Sequence, residues 1–414
     1  MSKCDYQKNA TVFYAPVWVD DYSGFTASLR KSDFFEPIDT KDKPQYLLPY
    51  AAKIYSDPER CSVFRVKDEH LPSMCMFGKY CNHSVSPVLE SVRITCFGTG
   101  CAFVEMLVTY DGMTITQIAD FSFCFKNAVR SDKSEEITDS MYDLLSELFP
   151  ASCKPELFFT GNGFKKECRM FHRIYMEDIS DKDAVYSHLR HLARGYHNNF
   201  LMPKQDSKYD MLYQPYEYDF WAGSQEGLVN IFGLSGDKRT DYFLKNYKRD
   251  HLDFNYNFMY LLLLNQRFTA IKLIDDISRY NKCKFEEIEH LASRISELKT
   301  VYAFNVISDD QLYQNVYMRM YSLLDIDRLL GDVRDNESQV ETIYSKEKLK
   351  NEKLTSGFLL LLSILSIFSV LTDAAGYFDR IPFLRELSTI LSLVCTVGIV
   401  LVLFLIMWIR YKRK

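Results

Sequence analysis

The chain has 414 residues, enough for two folded domains and a further segment. Its 50 Lys and Arg against 55 Asp and Glu leave a formal charge of -5, which excludes a globally basic nucleic-acid binder. The 11 cysteines show no pairing rhythm, as expected in a reducing compartment, and the opening MSKCDYQKNA lacks the apolar stretch of a signal peptide.

Residues 11–19 (TVFYAPVWV) are expected in a sheet. Cys75, Cys81 and His83 come nearest to a metal cluster, but without a second CxxC half they read as ordinary buried thiols. Residues 92–125 are rich in Val, Ile, Thr and Phe and are broken by Gly98-Thr99-Gly100 and Asp111-Gly112. This predicts antiparallel strands with tight turns through to MTITQIADFSFCF. Ser134-Glu135-Glu136 opens an amphipathic helix that Pro150 stops. Residues 168–176 read as a strand and 183–196 as a helix. The front of the chain, 1–235, is thus expected to be one mixed α and β regulatory domain.

From about 251 helical patterns dominate. One helix covers NFMYLLLLNQRFTAIKLIDDISRY and a second covers 285–301. After a break at 305–310, with Ser308 as N-cap, a single helix is expected from 310 to 371. Val316, Leu323 and Leu330 repeat every seven residues, with Leu312, Ile326, Val333 and Val340 at companion positions. This seam fits either self-association in a coiled coil or a helix packed on its own domain. Asp325, Asp327, Asp332, Asp335, Glu337 and Glu341 read as a solvated face, one that would concentrate cations if copies formed a ring.

Two apolar runs close the chain: 354–372, without a charge, and 387–409. About 20 apolar residues cross a bilayer, so each is expected to span once. Lys346, Lys348, Lys350 and Lys353 precede the first run, and Arg410, Lys412, Arg413 and Lys414 follow the second. By the positive-inside rule both termini face the cytoplasm. The expected organisation is a 1–235 regulatory domain, a 236–353 helical domain and stalk, spans at 354–372 and 387–409 around an outer loop at 373–386, and a 410–414 tail. This describes a multi-pass protein of the inner (plasma) membrane with the lipid bilayer as partner.

A long helix running into a first span, a short outer loop, a second span and a basic tail resembles the CorA-type metal ion transporters, over roughly 250–414. Local signs are Asn351 before the first span, Gly376-Tyr377-Phe378 after it and the closing YKRK. The family's turn is Gly-Met-Asn, so only Gly376 matches and the residue that selects hydrated magnesium is missing. Residues 257–267 (NFMYLLLLNQR) also resemble a segment of divergent CorA-like bacterial proteins. The resemblance implies an α+β domain, a stalk and a CorA-like membrane hairpin, assembled as a homopentamer. Its first span would line a pore with Thr355, Ser363, Ser366, Thr372 and, at the outer end, Asp373. Some divergent relatives are encoded with type III CRISPR systems and are thought to respond to a nucleotide second messenger. On this resemblance the chain is expected to be a ligand-gated cation channel. The alternatives are a housekeeping magnesium or other divalent-cation transporter and a non-conducting sensor or scaffold.

Three clusters suit a small anionic nucleotide. Lys165, Lys166 and Arg169 follow the turn Gly161-Asn162-Gly163, where backbone N–H groups and cations can cradle phosphate, although the stretch is not a P-loop and a solvated hairpin is the commoner reading. Arg190, Arg194 and His197 share a helical face and suit phosphate or a neighbouring subunit's acids. In 213–221 (YQPYEYDFW), Trp221 and its aromatic neighbours suit stacking on a purine, with Glu217 or Asp219 bonding ring or ribose, unless they are core. No catalytic motif is present, so no enzyme is expected, and no direct nucleic-acid partner.

Overall fold

The computed structural model describes residues 6–40, 44–71, 86–127, 156–157, 168–196, 211–279 and 285–378, with isolated positions beyond. The helix expected at 134–148 and the cysteines at 75 and 81 lie outside these residues, as does His83. Residues 1–282 with 290–337 form one compact unit, and 283–289 with 338–414 a second. The expected boundary at 235 falls within the first unit.

A ten-stranded sheet organises the first unit. Its strands are β1 (Asn9–Trp18), β2 (Phe35–Pro37), β3 (Cys61–Val66), β4 (Ser86–Phe97), β5 (Cys101–Asp111), β6 (Glu156–Leu157), β7 (Arg169–Tyr175), β8 (Met211–Tyr216), β9 (Asp219–Gly223) and β10 (Gly227–Phe232). The order is β2-β3-β4-β5-β1-β7-β10-β9-β8, with β6 pairing β1. Every pairing is antiparallel except β7–β10, which is parallel. The Gly98-Thr99-Gly100 turn joins β4 to β5 as expected. Gly100 has φ +89, and a Cβ there would stand 2.7 Å from the Val19 carbonyl oxygen, so glycine is required.

Helices cover both faces. On one lie α1 (Tyr22–Lys31), α3 (Ile115–Asn127) and α4 (Lys182–Arg194); α2 is Pro49–Ser56. Phe13 of β1 meets Phe121 and Phe125 of α3 at 6.3 and 4.7 Å, in one core with Val104, Met106 and Leu189. Because strand side chains alternate, Tyr14 points the opposite way and meets Tyr260 at 5.4 Å. Tyr260 belongs to α6 (Asn257–Arg279), whose Phe268 packs on Phe103 at 6.0 Å. The remaining helices are α5 (Lys238–Asn246), α7 (Phe285–Glu297), α8 (Gln311–Leu323) and α9 (Ile326–Phe378).

Several expectations are corrected. MTITQIADFSFCF forms helix α3, not a strand. Thr114 and Gln117 exchange side-chain bonds to each other's backbone N–H, at 3.3 and 2.9 Å, and this capping box overrides the strand-like composition. The N-cap before α8 is Asp310, whose carboxylate accepts from Leu312 N–H at 2.8 Å, not Ser308. The single helix from 310 to 371 breaks at Asp325, which sits at φ +58 between α8 and α9. Val316, Ile326, Leu330 and Val333 are buried within the first unit, so this part of the heptad pattern marks packing on its own domain.

The membrane hairpin is the main correction. Among the described residues no helix is long and apolar enough to cross a membrane. The first apolar run, 354–372, lies within α9. The second run lies almost wholly outside the described residues. The CorA-like hairpin, the multi-pass inner-membrane placement and the pore built on them therefore lose their basis. Gly376, Tyr377 and Phe378, expected in a turn, continue α9. Asn351 and Thr372 also lie along α9. Thr355, Ser363, Ser366 and Asp373 are exposed on it, and Ser363 Oγ donates to the Leu359 carbonyl at 2.9 Å.

Candidate functional site

The segment before α6 does not start as an α-helix. Residues His251–Tyr256 wind as a π-helical turn. Widening to i→i+5 bonds puts residues five apart on one side, whereas at 100° per residue an α-helix would set them about 140° apart. His251 and Tyr256 consequently face the same cleft.

On the other side of the turn a polar network anchors it to the sheet. Arg173 of β7 pairs with Asp253 and donates to Asn257 Oδ1 at 2.8 Å. Arg249 reaches Asp253 at 3.1 Å. Asn257 donates to Glu105 Oε2 at 2.8 Å and accepts from the Tyr14 hydroxyl at 2.5 Å. Arg173 is 2 % exposed, so removing any member would strand charge in a low-dielectric interior.

The cleft measures about 440 Å³. Its wall is a column of rings running from solvent to core. Tyr46, 38 % exposed, stacks on Tyr313 at 5.1 Å and 12°. Tyr313 stacks on Tyr256 at 4.2 Å and 14°. Tyr256 leans on Trp221 at 4.5 Å, and Trp221 stacks on Phe171 at 6.3 Å. The Tyr256 hydroxyl is buried with no hydrogen-bond partner, a state that costs free energy until something satisfies it. Burial pushes the Tyr256 and Tyr313 phenols well above their ordinary range, so both stay protonated.

Cations and acids frame the cleft. Arg239 in the first turn of α5 is exposed on its rim. Lys248 is buried and committed to Asp219 at 2.8 Å, with its ammonium 5.3 Å over the Trp221 ring. His251 Nδ1 lies 2.7 Å from the Tyr313 hydroxyl. Burial and then the Lys248 charge hold its imidazole below the usual value, against Asp250 and Asp310. Tyr216 and Tyr218 stack in parallel at 5.4 Å where β8 turns into β9. They line both the cleft and an adjoining groove of about 940 Å³ that carries Glu217 and Asp237.

Of the sequence candidates, the 213–221 segment reaches the cleft, through Tyr216 and Tyr218. Trp221 is fully buried, so neither ring face is open for stacking. Asp219 is enclosed as well. Besides Lys248, it accepts from Asn230 Nδ2 at 2.7 Å and Trp221 Nε1 at 3.2 Å, which withdraws it from a ribose. Arg169 is buried on β7 with its guanidinium 5.4 Å over Phe268, in the core rather than in a phosphate cradle. Arg190 and Arg194 are half-buried on α4 and do not line the cleft. Lys165, Lys166 and His197 lie outside the described residues. Among the described residues no group of three or more His, Cys, Asp or Glu is placed to hold a metal ion.

Sequence reasoning missed Tyr46, Arg239, His251, Tyr256 and Tyr313. One signal was the aromatic density of HLDFNYNF just before an apolar helix. Its spacing fits one face only in a π-helix, while Tyr46 arrives from the loop before α2 and Tyr313 from the first turn of α8.

No protein-family model matches the chain, and no characterised protein or solved structure does so either. The CorA-type resemblance therefore rests on the quoted residues alone.

Proposed function

We propose that the chain is a ligand-responsive binding module whose cleft takes a planar, anionic ligand of the nucleotide class, the class to which nucleotide second messengers belong. The observation that carries this reading is the tyrosine column, which opens into the cleft and includes the buried, unpartnered hydroxyl of Tyr256. A purine entering beside the column finds aromatic partners in Tyr46, Tyr216 and Tyr218, with the stacking preference of aromatic pairs, and its ring nitrogens can meet the orphaned hydroxyl edge-on. Arg239 on the rim supplies a fork for phosphate, and Glu217 in the adjoining groove accepts from ribose hydroxyls. Occupancy bears on the π-helical turn, because His251 and Tyr256 face the ligand while Asp253 of the same turn is held by Arg173 and Arg249. A ligand that favours one setting of this turn shifts the balance between settings.

The test is calorimetric titration of the full chain with adenosine 5′-monophosphate. Tyr46→Ala and Arg239→Ala should each weaken binding by roughly tenfold, the scale of one lost stacking or charge-assisted contact. Affinity unchanged in both variants would remove the cleft as the site.

A further inference from the structure

We propose that a small cavity between the sheet and the π-helical turn is a binding site for one monovalent anion of about chloride size. It lies on the Asp253 side of the turn, away from the tyrosine column, and does not rest on the nucleotide reading above.

The cavity measures about 30 Å³. A water needs about 10–15 Å³ on this scale, so the space admits one small ion or one or two waters and no organic ligand. Strand register builds the wall: Arg93 of β4 stands opposite Glu105 of β5, and Arg173 of β7 joins them with Asp253 and Asn257. The acceptors in this wall are engaged. Glu105 accepts from Thr95 at Oε1 and from Asn257 at Oε2. Asp253 is shared by Arg173 and Arg249, and Asn257 Oδ1 accepts from Tyr14 and Arg173. The donors are not all engaged. Arg173 is 2 % exposed, and its Nε–H is buried without a partner. Arg93 is half-buried and makes no hydrogen bond or ion pair among the described residues. Such donors are costly until an acceptor meets them.

Charge points the same way. Arg93, Arg173 and Arg249 face only the carboxylates of Glu105 and Asp253, which leaves one positive charge over. On its other side Arg93 stands directly opposite Arg65 of β3, whose own partner is Asp68. Like charges at opposed strand positions destabilise a sheet unless something offsets them. One monovalent anion balances the surplus and accepts from both guanidinium groups. A water fills the same space, but it carries no charge and brings two hydrogens that need acceptors of their own. Because Asp253 and Asn257 flank the cavity, an ion seated there braces the π-helical turn against the sheet and stabilises the folded chain.

The test pairs two measurements on the full chain. Thermal melts follow chloride from about 1 to about 100 mM in wild type and Arg93→Met, with sodium gluconate holding ionic strength constant. For a site half-filled at about 10 mM, wild-type Tm should rise by about 2 °C over this range. Arg93→Met keeps the reach of the side chain without its charge, and its Tm should not respond. Bromide, close to chloride in size, locates the site: crystals grown in sodium bromide should give an anomalous scattering peak in the cavity beside Arg93 and Arg173. Water alone at that position would overturn the proposal. So would a bromide peak without a chloride-dependent melt, which marks binding at crystal concentration only, and so would an equal chloride response in Arg93→Met. Should Arg93→Met not fold, the wild-type melt and the bromide peak decide together.

Discussion

Replacing Tyr256 by Phe should make the protein more stable and a poorer binder. The Tyr256 ring is 2 % exposed and stacked between Tyr313 and Trp221, so its packing survives the loss of one oxygen. The hydroxyl is buried without a partner, and such a group costs about 1–3 kcal/mol of desolvation. The vacated space forfeits a few dispersion contacts, each about 0.1–0.2 kcal/mol. The net gain is about 1 kcal/mol. A shift of 1 kcal/mol moves Tm by about 2–4 °C at 150–250 residues. The first compact unit exceeds that size, so a rise of about 1–2 °C is expected. Thermal melts of wild type and variant read this directly. In the same preparations, affinity for adenosine 5′-monophosphate should fall roughly threefold to tenfold, the worth of one hydrogen bond. Opposite signs for stability and binding mark a residue held ready for a ligand. A variant that melts lower than wild type and binds equally well would refute the reasoning, because the hydroxyl would then have a structural partner.

Other consequences follow from the buried charges and caps. Lys248→Met should cost about 3–5 kcal/mol in chemical denaturation, since it leaves the Asp219 carboxylate buried without its cation; adding Asp219→Asn should recover much of that loss. His172 is fully buried with Thr11 Oγ1 2.8 Å from Nδ1, and burial pushes its imidazole down to about 3. The unfolded chain takes up this proton first. His172 stability is therefore complete above the ordinary histidine value near 6.5 and is lost as pH falls toward 3, at up to about 1.4 kcal/mol per pH unit. His172→Gln should flatten that part of the stability–pH curve; an unchanged slope would show that other groups set it. Thr114→Ala should cost about 1 kcal/mol through loss of the α3 capping box, measured as a shift in denaturation midpoint at constant m-value.

Much of the fold was legible because periodicity survives packing. The strands at 11–19, 92–97 and 168–176 fall on β1, β4 and β7, and the helices at 183–196 and 257–280 on α4 and α6. The error at 113–125 shows why composition alone misleads. Ile115, Ile118, Phe121 and Phe125 are strand-forming residues, but their spacing of three and four builds a helical face, and Thr114-Ile115-Thr116-Gln117 sets its start. The apolar runs misled differently. Length and hydropathy over 354–372 and 387–409 predicted two spans, whereas among the described residues no helix is long and apolar enough to cross a membrane.

The cleft was hard to read for a physical reason. Its residues come from the loop before α2, the β8–β9 turn, α5, a π-helical turn and the start of α8, and long-range stacking leaves no periodic trace in any one of them. The aromatic cluster at 213–221 did point to the right place, but pleat alternation divides it. The parity of a strand sends Trp221 to one face and Phe220 and Ala222 to the other, and burial in the middle of β9 encloses all three. Tyr216 and Tyr218, at the turn, are spared enclosure because no strand pairs beyond them. The same logic separates Asp219 from Glu217. Two residues apart, one carboxylate neutralises a buried lysine and the other remains exposed in the groove. Position relative to the strand end, not residue type, decides which acid can meet a ligand.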